Sequence, residues 1–217
     1  MPSPQLNRLL WIAMLSVLAV LVYTFDVGVF LGSGRLAVEV DPADPRTVHL
    51  RWRGEIEPPM LASLTRAIEE HRDSADRFVL SLSSPGGSVA HGGAVIRLLR
   101  DIRRTHRLET VLEGSNVCAS MCVPVYLQGE VRRASGRSRW LFHEVRRHDV
   151  LKDGPEDTRP EVRRALTDKL FDTYFVPAGI PPGWIRDIRG QMQGGTDVWR
   201  TGAQLIEQQA GIVLERL

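Results

Sequence analysis

Phe78-Val79-Leu80-Ser81-Leu82-Ser83-Ser84-Pro85-Gly86-Gly87-Ser88-Val89 reads as a short, largely apolar strand that runs straight into a glycine-rich turn. An apolar run of this length closed by Pro-Gly is the signature of a buried strand. Past the turn, Val89, Val95, Ile96, Leu99 and Ile102 recur at helical spacing, so an amphipathic helix follows. Leu108 to Leu112 is the next strand. Strand, turn, helix and strand in that order imply a right-handed crossover unit and an α/β layer fold. Gly86 and Gly87 carry no side chain to obstruct a ligand approaching the backbone, and their amides could donate to an oxyanion. Taken alone, such a turn is usually only a turn.

The same alternation extends in both directions. Upstream, Gly32-Ser33-Gly34 is a flexible joint, and Leu36 to Val40 and Thr47 to Ile56 read as strands, the second with Val48, Leu50 and Trp52 on one face. Pro58-Pro59 opens a helix carrying Leu61, Leu64 and Ile68 and ending near His71 to Asp76. Downstream, a turn at Glu113 to Asn116 leads into Cys118 to Leu127, which composition alone reads equally as buried helix or strand. Trp140-Leu141-Phe142 is a strand ending on His143, Glu144 to Pro160 a charged loop, and Glu161 to Phe175 an amphipathic stretch. No internal repeat is evident.

A chain of 217 residues is long enough for one domain with a sizeable core. Hydrophobic residues at 43% and charged residues at 25% exclude a disordered or multi-span membrane protein. The formal charge is +2, with arginines spread along the chain, so nothing supports nucleic-acid binding. Leu9 to Phe25 is uncharged, preceded by Arg8 and closed by Asp26. It lies at the lower edge of the ~20 apolar residues that cross a bilayer, and apolar residues cover every face. No small-x-small cleavage site follows, so an uncleaved single-pass anchor is expected, with a cleaved signal peptide or a buried helix as alternatives. The downstream domain, with no further span, is expected outside the cytoplasm. The domain reading is therefore residues 1–31 as anchor and flank, 32–45 as linker and first strand, and 46–217 as the main domain.

Cys118 and Cys122 are the only cysteines. One helical turn apart, their side chains are poorly aimed for a bridge, and packed thiols are the expectation, with an intrachain disulfide as the alternative. No standard zinc spacing is present. His49, His71, His91, His106 and His148 fall on polar faces or loops and receive no role.

Ser120, between those cysteines, needs a base to take its proton and fixed donors to hold an oxyanion before it can act as a nucleophile. Singly, Ser120, His143 and Gly86-Gly87 each read more readily as structure than as chemistry. Their order together with Gly54-x-Ile56, Ala119-Ser120-Met121, Ser138-Arg139-Trp140-Leu141-Phe142-His143 and the stretch from Thr201-Gly202-Ala203-Gln204-Leu205 to Gly211-Ile212-Val213 resembles the ClpP/SppA superfamily of serine peptidases, over Arg46 to Leu217.

The resemblance implies a ClpP/crotonase-like fold of repeated β-β-α units, with Cys118 to Leu127 helical and the stretch from Thr201 to Gly211-Ile212-Val213 as the closing helix and strand. It implies Ser120 as nucleophile at the start of a helix, where amides and dipole favour negative charge. His143 would be the base, and the Met121 amide with one amide of Gly86-Gly87 the oxyanion hole. The SppA branch uses a lysine, and Lys152 and Lys169 lie in no matching segment. At the position aligned with the third member stands Gln193, with Asp197 and Asp187 on either side as candidates; Asp197 ranks first. The Cys-Ala-Ser-x-Cys form is similar to membrane-anchored or periplasmic members. A peptide or protein substrate, self-association, an inner-membrane location with the catalytic domain in the periplasm or outside, and no cofactor or metal complete the expectation. The rival is a catalytically silent member that uses the fold to bind or assemble.

Overall fold

The computed structural model describes residues 34–145 and 159–217; the expected anchor at Leu9 to Phe25 lies outside them. Among the described residues no helix is long and apolar enough to cross a membrane. The described residues form nine strands in two sheets. The larger carries β1 (Gly34–Val40), β2 (Thr47–Gly54), β3 (Arg77–Ser83), β4 (Arg107–Leu112), β6 (Val131–Ala134) and β9 (Glu215–Arg216) side by side. All neighbours are parallel except the edge pair β1 and β2. The smaller holds β5 (Val117–Ala119), β7 (Arg139–Phe142) and β8 (Val198–Thr201), with β5 parallel and β8 antiparallel to β7.

The strands behave as their sequences dictate. Phe78 to Leu82 of β3 are all buried, which fits a central parallel strand covered on both faces. β2 alternates instead, with Val48, Leu50 and Trp52 buried, His49 and Arg51 between them half-buried on the other face, and Arg53 exposed. Gly34 on β1 is required by this packing, since a Cβ there would meet the Trp52 ring at 2.2 Å. Over the sheet lie α1 (Met60–His71), which buries Met60, Leu64 and Ile68, and α2 (Val89–Ile102), which buries Val95, Ile96, Leu99 and Ile102. Ser88 caps α2 by accepting the His91 amide at 3.2 Å. The alternation of strand and helix was expected, and the α/β class stands.

Four local expectations are corrected. Cys118 to Leu127 is not one helix: β5 ends at Ala119, the chain reverses at Ser120, and α3 covers only Cys122–Tyr126. All of α3 is buried, so no periodicity marked its start. The cysteines are bridged rather than free, because with Cys118 on a strand and the chain turning back at Ser120 their Cα atoms come within 5.2 Å. Glu144 and Val145, placed in a charged loop, are buried at 6% exposure each. The closing strand is Glu215–Arg216, after Ile212 and Val213, which lie in the core.

In the second described stretch, α4 (Pro160–Leu170) continues into a single π-helical turn at Phe171–Phe175, whose two phenylalanines stack 4.1 Å apart. Then come α5 (Pro182–Met192) and α6 (Gly202–Glu207), the latter opened by a reciprocal capping box between Thr201 and Gln204. Sequence reading did not foresee α5, although Pro181-Pro182 at its start and Ile185, Ile188 and Met192 on one face are its signals.

Candidate active site

The turn after β3 and the turn after β5 lie against each other. Ser84 joins them: its amide donates to the Val117 carbonyl at 2.8 Å and its carbonyl accepts from the Ala119 amide at 3.0 Å. Gly86 and Gly87 have φ of +102° and +152°, a region that favours glycine. A Cβ on Gly86 would stand 2.7 Å from Ser120 Cβ and 2.9 Å from the Ala119 carbonyl oxygen. One on Gly87 would stand 2.7 Å from the Ile56 carbonyl oxygen, and Ile56 donates its amide to the Gly86 carbonyl at 2.7 Å. The glycines are thus wedged between Ile56 and the serine, where no other residue fits.

Ser120 has φ of +52°, a left-handed conformation that costs a non-glycine residue about 1–2 kcal/mol. Neighbours on both sides enforce it: Ser120 donates its amide to the Leu141 carbonyl and accepts from the Val123 amide, both at 3.0 Å. The Cys118–Cys122 disulfide closes the same turn, with both cysteines fully buried. Left-handed backbone at the tip of this turn lifts the serine out of the line of β5. α3 is only five residues long, so its dipole adds little and individual amides matter more. Pro124 sits at its third position, where a missing N–H costs nothing.

Of the amides near Ser120, that of Gly86 is engaged, donating to Ser84 Oγ at 3.1 Å. The Gly87 and Met121 amides donate to no protein acceptor among the described residues. Ser120, Met121 and His143 line one small cavity of about 20 Å3, walled otherwise by Phe142, Phe171, Met192 and other apolar groups. A second cavity of about 180 Å3 shares Val89, Val145 and Leu170 with it and adds Leu166, Lys169, Thr173 and Tyr174. A larger cleft of about 610 Å3 lies at the starts of β2, β3 and β4. Its arginines are largely paired, Arg46 with Asp76, Arg77 with Asp44 and Arg103 with Glu130. It sits away from the carboxyl ends of the strands, where sites in parallel sheets gather.

His143 follows β7 and hydrogen-bonds through Nδ1 to the Glu144 carbonyl oxygen at 2.7 Å. Among the described residues, neither His143 Nε2 nor Ser120 Oγ has a hydrogen-bond partner; the structure brings the two to one cavity without joining them. Such contacts are often long in unliganded enzymes. Neither aspartate proposed for the third position hydrogen-bonds His143. Asp187 is exposed on α5. Asp197 is exposed one step past the last β7–β8 pair, Phe142 with Val198, which sets it opposite His143 in register. Sequence reading missed Glu144, Arg163 and Thr167, which hold the chain beside His143; no local pattern announces them. Among the described residues no cluster of His, Cys, Asp or Glu could hold a metal.

No protein-family model and no curated protein matches this sequence. Among solved structures, a ClpP1 variant from Listeria monocytogenes superposes with a TM-score of 0.57 at 17% identity, covering 79% of this chain and 91% of that one. The chain has a ClpP-like fold.

Proposed function

We propose that this chain is a serine peptidase of ClpP-like fold, with Ser120 as nucleophile, His143 as general base and the amides of Gly87 and Met121 as oxyanion donors. One observation carries the reading: Ser120 is held in left-handed backbone with the Gly86-Gly87 turn packed directly on it. Strained backbone at such a position is a hallmark of sites where a side chain must be aimed.

The chemistry follows. Ser120 Oγ attacks the carbonyl carbon of a peptide bond while His143 Nε2 takes the hydroxyl proton. The negative charge that forms on the carbonyl oxygen is met by the Gly87 and Met121 amides, each such donor being worth roughly 100- to 1000-fold in turnover. Collapse expels the amine, which takes the proton from His143, and leaves an acyl-serine. Water, deprotonated by the same nitrogen, releases the acid and restores the serine.

The same reading includes anchoring through Leu9 to Phe25, a catalytic domain outside the cytoplasm, and self-association into a homo-oligomer. Full-length protein in detergent micelles should cleave an unstructured protein such as fluorescent casein, and Ser120→Ala should not. Cleavage unchanged in Ser120→Ala would end the proposal. The second reading, a binding or assembly module, is favoured by the absence of a Ser120–His143 hydrogen bond. It requires that peptide binding persist in both Ser120→Ala and His143→Ala with no turnover in the parent.

A further inference from the structure

We propose that the main-chain carbonyl of Glu144, rather than a carboxylate, orients His143, and that Arg163 and Thr167 on α4 are the positioning residues that hold it in place. The inference rests on the serine and histidine reading above and supplies the member that reading lacks.

A carbonyl oxygen can only accept, so the 2.7 Å contact from His143 Nδ1 to Glu144 O puts the ring proton on Nδ1. Nε2 then carries the lone pair. That is the tautomer a catalytic carboxylate selects, and the one in which Nε2 can accept a serine proton.

The carbonyl of the next residue stays in this position only if the chain around it is fixed. α4 grips it on both sides. The Glu144 carboxylate accepts from Arg163 Nε at 3.1 Å, and the two side chains are only 7% and 18% exposed. The Val145 amide donates to Thr167 Oγ1 at 2.8 Å, and that hydroxyl donates onward to the Arg163 carbonyl at 2.8 Å. Arg163 and Thr167 are four residues apart, so one face of α4 presents both groups. One anchors the side chain of residue 144 and the other the main chain of residue 145, on either side of the carbonyl. The Glu144 carboxylate is thereby committed to Arg163, and its burial has a function that a loop acid would not have.

A neutral acceptor fixes the ring but does less than a carboxylate to hold the imidazolium formed during attack. The site is therefore built for orientation more than for charge stabilisation.

The test is ring-nitrogen NMR on full-length, 15N-histidine-labelled protein in micelles, in parallel with fluorophosphonate labelling of Ser120. In its uncharged form, the His143 ring of the parent should show Nδ1 protonated and Nε2 bare. Arg163→Met and the isosteric Thr167→Val should shift the ring towards the Nε2–H tautomer of an unconstrained imidazole and slow labelling by roughly 100-fold, the lower end of what a positioned base contributes. Arg163→Lys should recover part of both. Should Arg163→Met fail to fold, Thr167→Val carries the same test, with the His106 signals reporting that the fold is intact. An Nε2–H ring in the parent, an unchanged Nδ1–H ring in folded variants, or loss of the Nδ1–H form in Asp197→Asn alone would overturn the assignment. A parent that shows the Nδ1–H form, loses it in the variants and is never labelled would refute the nucleophile reading while leaving the orienting carbonyl standing.

Discussion

Replacing Gly86 with alanine tests whether the glycine turn is packed on a working serine. The new Cβ would lie 2.7 Å from Ser120 Cβ, 2.9 Å from the Ala119 carbonyl oxygen and 3.4 Å from Ser120 Oγ. The two closest, a Cβ and a carbonyl oxygen, are not the far end of a flexible side chain. Ser120 is tied to Leu141, and Ala119 to Ser84, by backbone hydrogen bonds, so it is the glycine turn that must give. The φ of +102° adds strain of about 1–3 kcal/mol for a residue with a Cβ. At the midpoint, about 2 kcal/mol, Tm should fall by about 4–8 °C for a domain of this size. The functional effect should be far larger. A shift of the turn carries the adjacent Gly87 amide away from the oxyanion, and losing one such donor costs roughly 100- to 1000-fold. Gly114→Ala is the control: its φ is +53°, but nothing lies within 4 Å of the added Cβ. It should lower Tm modestly and leave Ser120 untouched. The assay is the second-order rate of fluorophosphonate labelling, with melting followed by circular dichroism. A folded Gly86→Ala protein labelled at the parental rate would refute the oxyanion role of this turn.

Further outcomes follow from the same geometry. Ser120→Gly should be more stable than Ser120→Ala by about 0.5–1 kcal/mol in urea titration, because glycine relieves the left-handed backbone; equal midpoints would mean that Ser120 is unstrained. The double substitution Cys118→Ser and Cys122→Ser opens a short covalent loop, which should cost about 2 kcal/mol on the chain-entropy relation. Peptide mapping without reductant should recover the two cysteines linked in the parent, and free thiols there would contradict the bridge. The Thr47 hydroxyl and the Arg77 guanidinium hold the Asp44 carboxyl below its ordinary range, and His49 with the Ala43 amide does the same for Asp41. Groups lowered on folding contribute stability above the unfolded carboxylate value and lose it as pH falls through the folded one. Urea midpoints should therefore drop below about pH 4, with a shallower drop in Asp44→Asn; parallel profiles would show that Asp44 plays no part.

The parts of the fold that could be read in advance are those whose burial follows a period. β3 is apolar throughout, α2 repeats its apolar residues at helical spacing, and the glycines between them mark the one place where backbone must approach backbone. Cys118 to Tyr126 hid its nature because nearly every residue there is buried, so strand and helix leave the same trace. β6 was overlooked since Val131–Ala134 carries two arginines. Arg132 is nevertheless buried, its guanidinium donating to the Ile212 and Gly211 carbonyls at 3.0 and 2.8 Å from far along the chain. Glu144 misled for the same reason. Its charge suggests solvent, whereas Arg163 neutralises it inside the protein. Ser120 and His143 were nameable from their order, while what orients His143 depends on a contact with α4 that no local pattern encodes.

The most direct test of the account is to treat folded, full-length protein with a fluorophosphonate and map the adduct by peptide mass spectrometry. A single adduct on Ser120, absent in Ser120→Ala and strongly slowed in His143→Ala, is the predicted result. A folded protein that gains no adduct on Ser120, or gains one there at the same rate without His143, would contradict it.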